Sequence, residues 1–176
     1  MKREAILALF FNEPTKHWSF TELMQKSGVS RPQVAQWLKR LAAERLIQKV
    51  KQQGKMPYYI SSHASPAFQM KKRVFALEQL EKSGFLAHLA GLPKADAIYL
   101  FGSMSRWDWY SGSDVDIFIY GDDKGLELSK FESTLHREIE VFVARDKKDL
   151  SRFGTGLLHN IIKGYRIKGE LHGAQT

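Results

Sequence analysis

Apolar residues in the first forty positions recur at helical spacing. Ile6, Leu7, Phe10 and Phe11 share one face of a helix running from about Arg3 to Phe11, which Asn12-Glu13-Pro14 ends. Ser19 or Thr21 caps a second, short helix with Leu23 and Met24 facing inward, and Gly28 supplies a turn that Val29 anchors. Ser30 is placed to cap a third helix with Pro32 in its first turn, where the missing N–H costs little. Val34, Leu38 and Leu41 form the buried stripe of that helix, with Arg31, Gln33, Gln36, Trp37 and Arg40 on or near its other faces. The periodicity then changes to strand character over Leu46 to Lys51 and Pro57 to Ile60, with Gln52-Gln53-Gly54-Lys55 as a hairpin tip.

Ser61-Ser62-His63-Ala64-Ser65-Pro66 is a small polar stretch that reads as a domain boundary. A helical pattern follows from Ala67 to about Ala90. Phe68, Val74, Phe75, Leu77, Leu80 and Phe85 form its apolar face, and Gly84 is the point where it can break in two. The basic run Lys71-Lys72-Arg73 on this helix reads as a solvated face, and the helix itself is a place where two copies of the chain can pair as a homodimer. Beyond Gly91-Leu92-Pro93 the pattern alternates between strands and helices. Ala97–Phe101, Ile117–Tyr120 and Glu138–Val143 are strand candidates, and a helical stretch including Leu126 and Leu128 lies between the second and third. A helix over Leu150 to Ile162, with Leu157, Leu158, Ile161 and Ile162 inward, precedes a last strand at Tyr165–Lys168. His159 and His172 read as surface residues. The expected division is 1–62, a helical connector 63–93, and 94–176, an α/β (α+β) chain overall.

Charge changes the picture of the first part. Of a net +8, residues 1–60 carry +7, from eleven lysines and arginines against four glutamates. Basicity concentrated in this way suits a polyanionic partner. The chain has no cysteine, which excludes disulfides and thiolate metal sites. No stretch approaches the roughly 18 apolar residues of a membrane span. With no leader pattern at its start, a cytoplasmic location and no membrane partner are expected.

Helix, helix, Gly-containing turn, capped third helix and basic hairpin, in that order, resemble the winged helix-turn-helix domains of bacterial and archaeal transcription regulators. The resemblance implies binding to double-stranded DNA, with the third helix in the major groove and the hairpin on the flanking backbone. Arg31, Gln33, Gln36 and Arg40 are then the candidates for groove contacts, and Lys51 and Lys55 for phosphates. Trp37 either packs against the hairpin or is presented to DNA.

The second half carries the chemistry. Ala97–Phe101 runs into Gly102-Ser103, and ten residues later Asp114-Val115-Asp116 opens the next apolar run. Side chains alternate along a strand, so Asp114 and Asp116 point one way while Val115 and Ile117 point into the core. Two carboxylates side by side repel each other unless a cation lies between them. Hard oxygen donors of this kind suit magnesium or manganese, completed by substrate phosphates. Glycine at 102 lets backbone approach a phosphate, with Ser103 and the following helix N-terminus as donors.

Gly102-Ser103, ten residues, then Asp114-Val115-Asp116 resembles the Gly-Ser-x10-Asp-x-Asp signature of minimal nucleotidyltransferases in the polymerase-beta superfamily, over roughly residues 94–170. The resemblance implies a mixed sheet with helices on one side, and transfer of a nucleoside monophosphate, AMP before others, from a nucleoside triphosphate to an acceptor. Gly102, Ser103 and Arg106 would bind the triphosphate, ATP in the first instance. Asp114, Asp116 and Glu140 would hold Mg2+ or Mn2+ and be the catalytic carboxylates. Glu140 matches the family's acidic residue between apolar neighbours, Ile139 and Val141, with Glu138 as the alternative. The acceptor is open among a protein hydroxyl, as in minimal nucleotidyltransferases that modify a toxin partner, an aminoglycoside-like small molecule, and a nucleic-acid end. The second reading is a DNA-binding regulator whose nucleotidyltransferase domain senses nucleotide or a partner without turnover. One departure from the family pattern is Trp107, Trp109 and Tyr110, in a stretch usually small and polar; they either stack on a base or acceptor or fill a gap.

Overall fold

The computed structural model describes residues 2–171, so His172 lies outside the described residues. The chain forms two compact units, one built from residues up to Lys72 together with Trp109–Ser111, the other from Arg73–Asp108 and from Gly112 onward.

The first unit contains α1 (Lys2–Asn12), β1 (Trp18–Ser19), α2 (Phe20–Ser27), α3 (Arg31–Ala43), β2 (Ile47–Val50), β3 (Tyr58–Ser61) and the start of α4 (Pro66–Lys82). Ile6, Phe10, Leu23, Val34, Leu38 and Leu41 are buried, the residues that helical periodicity placed inward. Ser19 caps α2: its hydroxyl accepts from the Glu22 N–H at 3.1 Å, and the Glu22 carboxylate accepts from the Ser19 N–H at 2.9 Å. This reciprocal arrangement satisfies two donors that a helix end leaves orphaned. Gly28 ends α2 in the left-handed conformation. Ser30 occupies the N-cap of α3 with extended backbone, yet its hydroxyl makes no capping bond and instead donates to Gln33 Oε1 at 3.0 Å.

β1, β3 and β2 form an antiparallel sheet in that order, with Trp18 opposite Tyr59 and Ile47 opposite Ser61. The two-residue β1 has too few positions to show alternation and exists because β3 pairs with it.

Two expectations for α4 do not hold. Its buried row is Phe68, Lys72, Ala76 and Leu80, four residues apart, whereas Val74 is exposed. Lys72, expected in a solvated basic face, is 1% exposed. Its ammonium donates to the Trp109 carbonyl and lies 4.6 Å from the centre of the indole ring, so charge-assisted and cation–π contacts offset its desolvation. Trp109, itself buried, meets Phe11 edge to face at 6.3 Å. The tryptophan thus fills the core of the first unit and is not free to stack on a ligand.

The second unit adds α5 (Phe85–Ala90), β4 (Ala95–Phe101), β5 (Val115–Gly121), α6 (Ser129–Leu135), β6 (Ile139–Ala144), α7 (Lys147–Leu150), α8 (Thr155–Ile162) and β7 (Tyr165–Lys168). Leu126 and Leu128 precede α6 and are not helical. Leu150 to Ile162 is two helices, because the chain turns at 151–154 and Gly154 starts α8 afresh. The strand order is β6-β5-β4-β7; β5 and β6 are parallel and the other pairs antiparallel, a mixed sheet.

Ala97, Tyr99, Phe101 and Phe118 lie on one face, packed with Phe153, Leu157 and Leu158 from the α7–α8 segment. Ile98, Leu100, Ile117 and Ile119 on the opposite face are also fully buried, so the sheet is covered on both sides and not on one. This explains the continuous apolar runs of β4 and β5. At Gly164, between α8 and β7, an added Cβ would stand 2.2 Å from the Leu100 carbonyl oxygen, so β7 closes on β4 only with glycine there. Among the described residues no helix is long and apolar enough to cross a membrane.

Candidate functional site

The acidic residues gather at one end of the β5–β6 pair. Asp116 lies in β5 opposite Phe101 of β4 on one side and opposite Glu140 of β6 on the other. Partners in adjacent strands are about 4.8 Å apart and share a face, so the Asp116 and Glu140 side chains leave the same side of the sheet as neighbours. Asp114 sits in the lead-in to β5 and is exposed, as is Glu140, while Asp116 is half-buried. Val115 and Ile117 between them are fully buried, which fixes the register of the strand. Burial, then the charges of Glu140 and Asp114, push the Asp116 carboxyl up to about 6, against a smaller opposing pull from Arg106. Glu138, the alternative third carboxylate, precedes β6 and uses its carbonyl to accept the Val115 N–H at 2.9 Å. Of the two glutamates, Glu140 is the one whose charge acts on Asp116.

Gly102 connects β4 to a single 3-10 turn, Ser103–Ser105, where the sequence suggested the N-terminus of a helix. Its backbone, φ 67° and ψ −158°, lies in a region open essentially to glycine alone. A Cβ at this position would stand 1.9 Å from Asp116 Oδ2. The glycine therefore provides the space that the Asp116 carboxylate occupies. Ser105 is buried and donates its hydroxyl to the Gly102 carbonyl at 2.8 Å, holding the turn closed. Arg106 follows, exposed, with its guanidinium gripping Asp108 through two bonds of 3.1 and 2.8 Å. That pairing, with Asp116 as a lesser contributor, raises the Arg106 pKa further above its ordinary value.

Arg137 is the residue that sequence reasoning missed. It sits between α6 and β6, half-buried, and donates to the Ser113 carbonyl at 2.7 Å. Burial lowers its pKa, and the charge of Asp114 opposes that shift. Its position three residues ahead of Glu140 was the available signal.

Asp114, Asp116 and Glu140 offer hard, mutually repelling oxygen donors that suit a divalent cation with phosphate oxygens as further ligands. Among the described residues no three acidic or histidine side chains converge closely enough to enclose an ion unaided.

The basic candidates are on the first unit. Arg31, Gln36 and Arg40 are exposed on α3, and Lys39, not singled out from sequence, is exposed beside them. Arg40 rests on the Trp37 ring at 5.0 Å and Arg31 on Phe20 at 5.2 Å, so both guanidinium groups lie along aromatic surface. Gln33 is half-buried and engaged with Ser30. Lys51 and Lys55 are exposed in the β2–β3 hairpin.

Neither the curated proteins nor the solved structures include a match to this chain. Residues 87–169, which span β4 to β7, match the family model described as "Polymerase beta, Nucleotidyltransferase", so this stretch of the chain is similar to a nucleotidyltransferase domain of that family.

Proposed function

We propose that the protein transfers a nucleoside monophosphate, AMP in the first instance, from a nucleoside triphosphate to a hydroxyl-bearing acceptor, and that its first unit is a winged helix-turn-helix that binds double-stranded DNA. The observation that carries the enzymatic reading is the in-register pairing of Asp116 with Glu140 beside a glycine whose missing side chain makes room for the Asp116 carboxylate. Asp114, Asp116 and Glu140 would hold Mg2+ or Mn2+, which neutralises phosphate charge and eases deprotonation of the attacking hydroxyl. The Gly102-Ser103 turn receives the triphosphate, and Arg106 exchanges its Asp108 partner for a phosphate oxygen. The acceptor oxygen forms its bond to the α-phosphorus as the bond to pyrophosphate breaks. The hydroxyl proton leaves toward the carboxylate cluster, where Asp114 and Glu140 are both exposed and Asp116 is half-buried.

The DNA-binding reading is supported by a left-handed Gly28 turn between α2 and α3, an α3 with exposed Arg31, Gln36 and Arg40, and a hairpin tip with exposed Lys51 and Lys55. The same features favour a second reading, a DNA-bound regulator that senses nucleotide without turnover.

Transfer of label from α-phosphate-labelled nucleoside triphosphates, with Mg2+ or Mn2+ and a lysate as acceptor source, separates the two readings. Label is expected with the wild type and absent with Asp114→Asn and Glu140→Gln. No label from any nucleoside triphosphate, with no metal-dependent nucleotide binding by calorimetry, would leave the enzymatic reading untenable.

A further inference from the structure

We infer that Arg137 is a positioning residue for the acidic site, one that fixes the peptide leading into Asp114 so that its carboxylate faces the same cation as Asp116 and Glu140. The inference rests on the metal-dependent reading proposed above. Arg137 is itself fixed at both ends. His136 ends α6 in the left-handed conformation, φ 53°, and turns the chain toward β6. The Arg137 N–H donates to the Glu132 carbonyl at 3.3 Å, and the Glu132 carboxylate accepts the Ile139 N–H at 3.2 Å. From this anchored backbone the guanidinium reaches the Ser113 carbonyl, one residue ahead of Asp114. The neighbouring bond from the Val115 N–H to the Glu138 carbonyl completes a clamp on both sides of Asp114. Asp114 is outside the strand ladder that holds Asp116, so without such a clamp its carboxylate has the freedom of a loop residue. Groups that orient a metal ligand from behind typically change metal affinity by about 10–100-fold when removed.

Charge and position can be separated here, which makes the inference testable. A guanidinium near carboxylates repels a cation but attracts phosphates, so the variant that keeps the charge isolates position. Weaker binding by Arg137→Lys therefore reports lost positioning.

The experiment titrates the Mn2+ complex of a non-hydrolysable nucleoside triphosphate, whose phosphates complete the ligand set, into the full chain at pH 8. Protein-bound Mn2+ is followed by electron paramagnetic resonance, alongside thermal unfolding without metal. The proteins are the wild type, Asp116→Asn, Arg137→Ala and Arg137→Lys. Arg137→Ala is expected to bind Mn2+ about 10–100-fold more weakly than wild type. Arg137→Lys keeps the charge and the stem but lacks the planar fork, and is expected at least about fivefold weaker while unfolding close to the wild-type temperature. Binding by either folded variant within twofold of wild type, or tighter, overturns the inference; should Arg137→Ala fail to fold, Arg137→Lys decides alone. A wild type with no Mn2+ binding that Asp116→Asn removes overturns the acidic-site reading itself, and this inference with it.

Discussion

The two units place their polar residues in opposite ways. In the first, the residues assigned to a partner are long, cationic and exposed: Arg31 and Arg40 lean on aromatic rings, and Lys51 and Lys55 extend from a hairpin. A charged polymer would be met in this way, at a distance and over an area. In the second, the assigned residues are short carboxylates at the starts of adjacent strands, close enough that one is pushed up to about 6 by burial and by the others. Crowding of like charge is costly without a cation and of no use to a surface that meets a polymer. The contrast teaches that net charge locates the first kind of site, while strand register locates the second.

The largest expected effect tests the register side. Gly102→Ala would force a backbone region essentially closed to alanine and set a methyl group 1.9 Å from Asp116 Oδ2. Nucleotidyl transfer is expected to fall at least about 100-fold, close to 3 kcal/mol in transition-state stabilisation. DNA binding by the first unit should hold within about twofold, a change that gel shifts resolve. Loss of both activities together would break the division of labour between the units.

A smaller effect tests the charge side. Replacing Arg40, Lys51 and Lys55 with glutamine removes three of the eleven cations in residues 1–60. Lys51 and Lys55 are the phosphate candidates, so the slope of log K against log salt should flatten by about 1.8, at about 0.9 per contact, and by about 2.7 if Arg40 meets a phosphate and not the groove. Label transfer to an acceptor other than DNA should be unaffected. An unchanged salt slope would take the phosphate contacts away from this surface.

Much of this arrangement is legible in the residues themselves. The apolar stripe Val34, Leu38, Leu41 and the alternation around Asp116 are local patterns, and local patterns survive folding when the core rewards them. The adjacency of Asp116 and Glu140 needs one further step, a parallel register, which the buried Val115 and Ile139 at the head of each strand supply. Lys72 and Arg137 lay beyond that kind of reading. A basic residue on a helix defaults to solvent, and the carbonyl and ring of Trp109, thirty-seven residues away, help make burial of Lys72 tolerable. Arg137 acquires its place from a left-handed His136 and a partner twenty-four residues earlier, neither of which leaves a periodic trace. Val74 was misplaced because α4 buries every fourth residue from Phe68, a choice among helix faces that its sequence leaves nearly balanced.

The most graded expectation concerns pH, and it tests whether the crowding in the second unit is real. A carboxyl whose ordinary value is 3.8 and whose folded value is about 6 holds its proton in the native state while the unfolded chain has lost it. Between those values the native state binds more protons, so stability without metal falls as pH rises from about 4 to about 6 and is level above that. Asp116→Asn cannot ionise and should lack this decline, so subtracting its melting profile from that of the wild type isolates the effect. A divalent cation needs the same oxygen deprotonated and competes with the proton. Mn2+ affinity should therefore be constant above pH 6 and fall by up to about tenfold per unit below it. A Mn2+ affinity that stays level down to pH 4.5 would mean that neither burial nor its neighbours raise the Asp116 carboxyl, and that the two units differ less in their electrostatics than their sequences suggest.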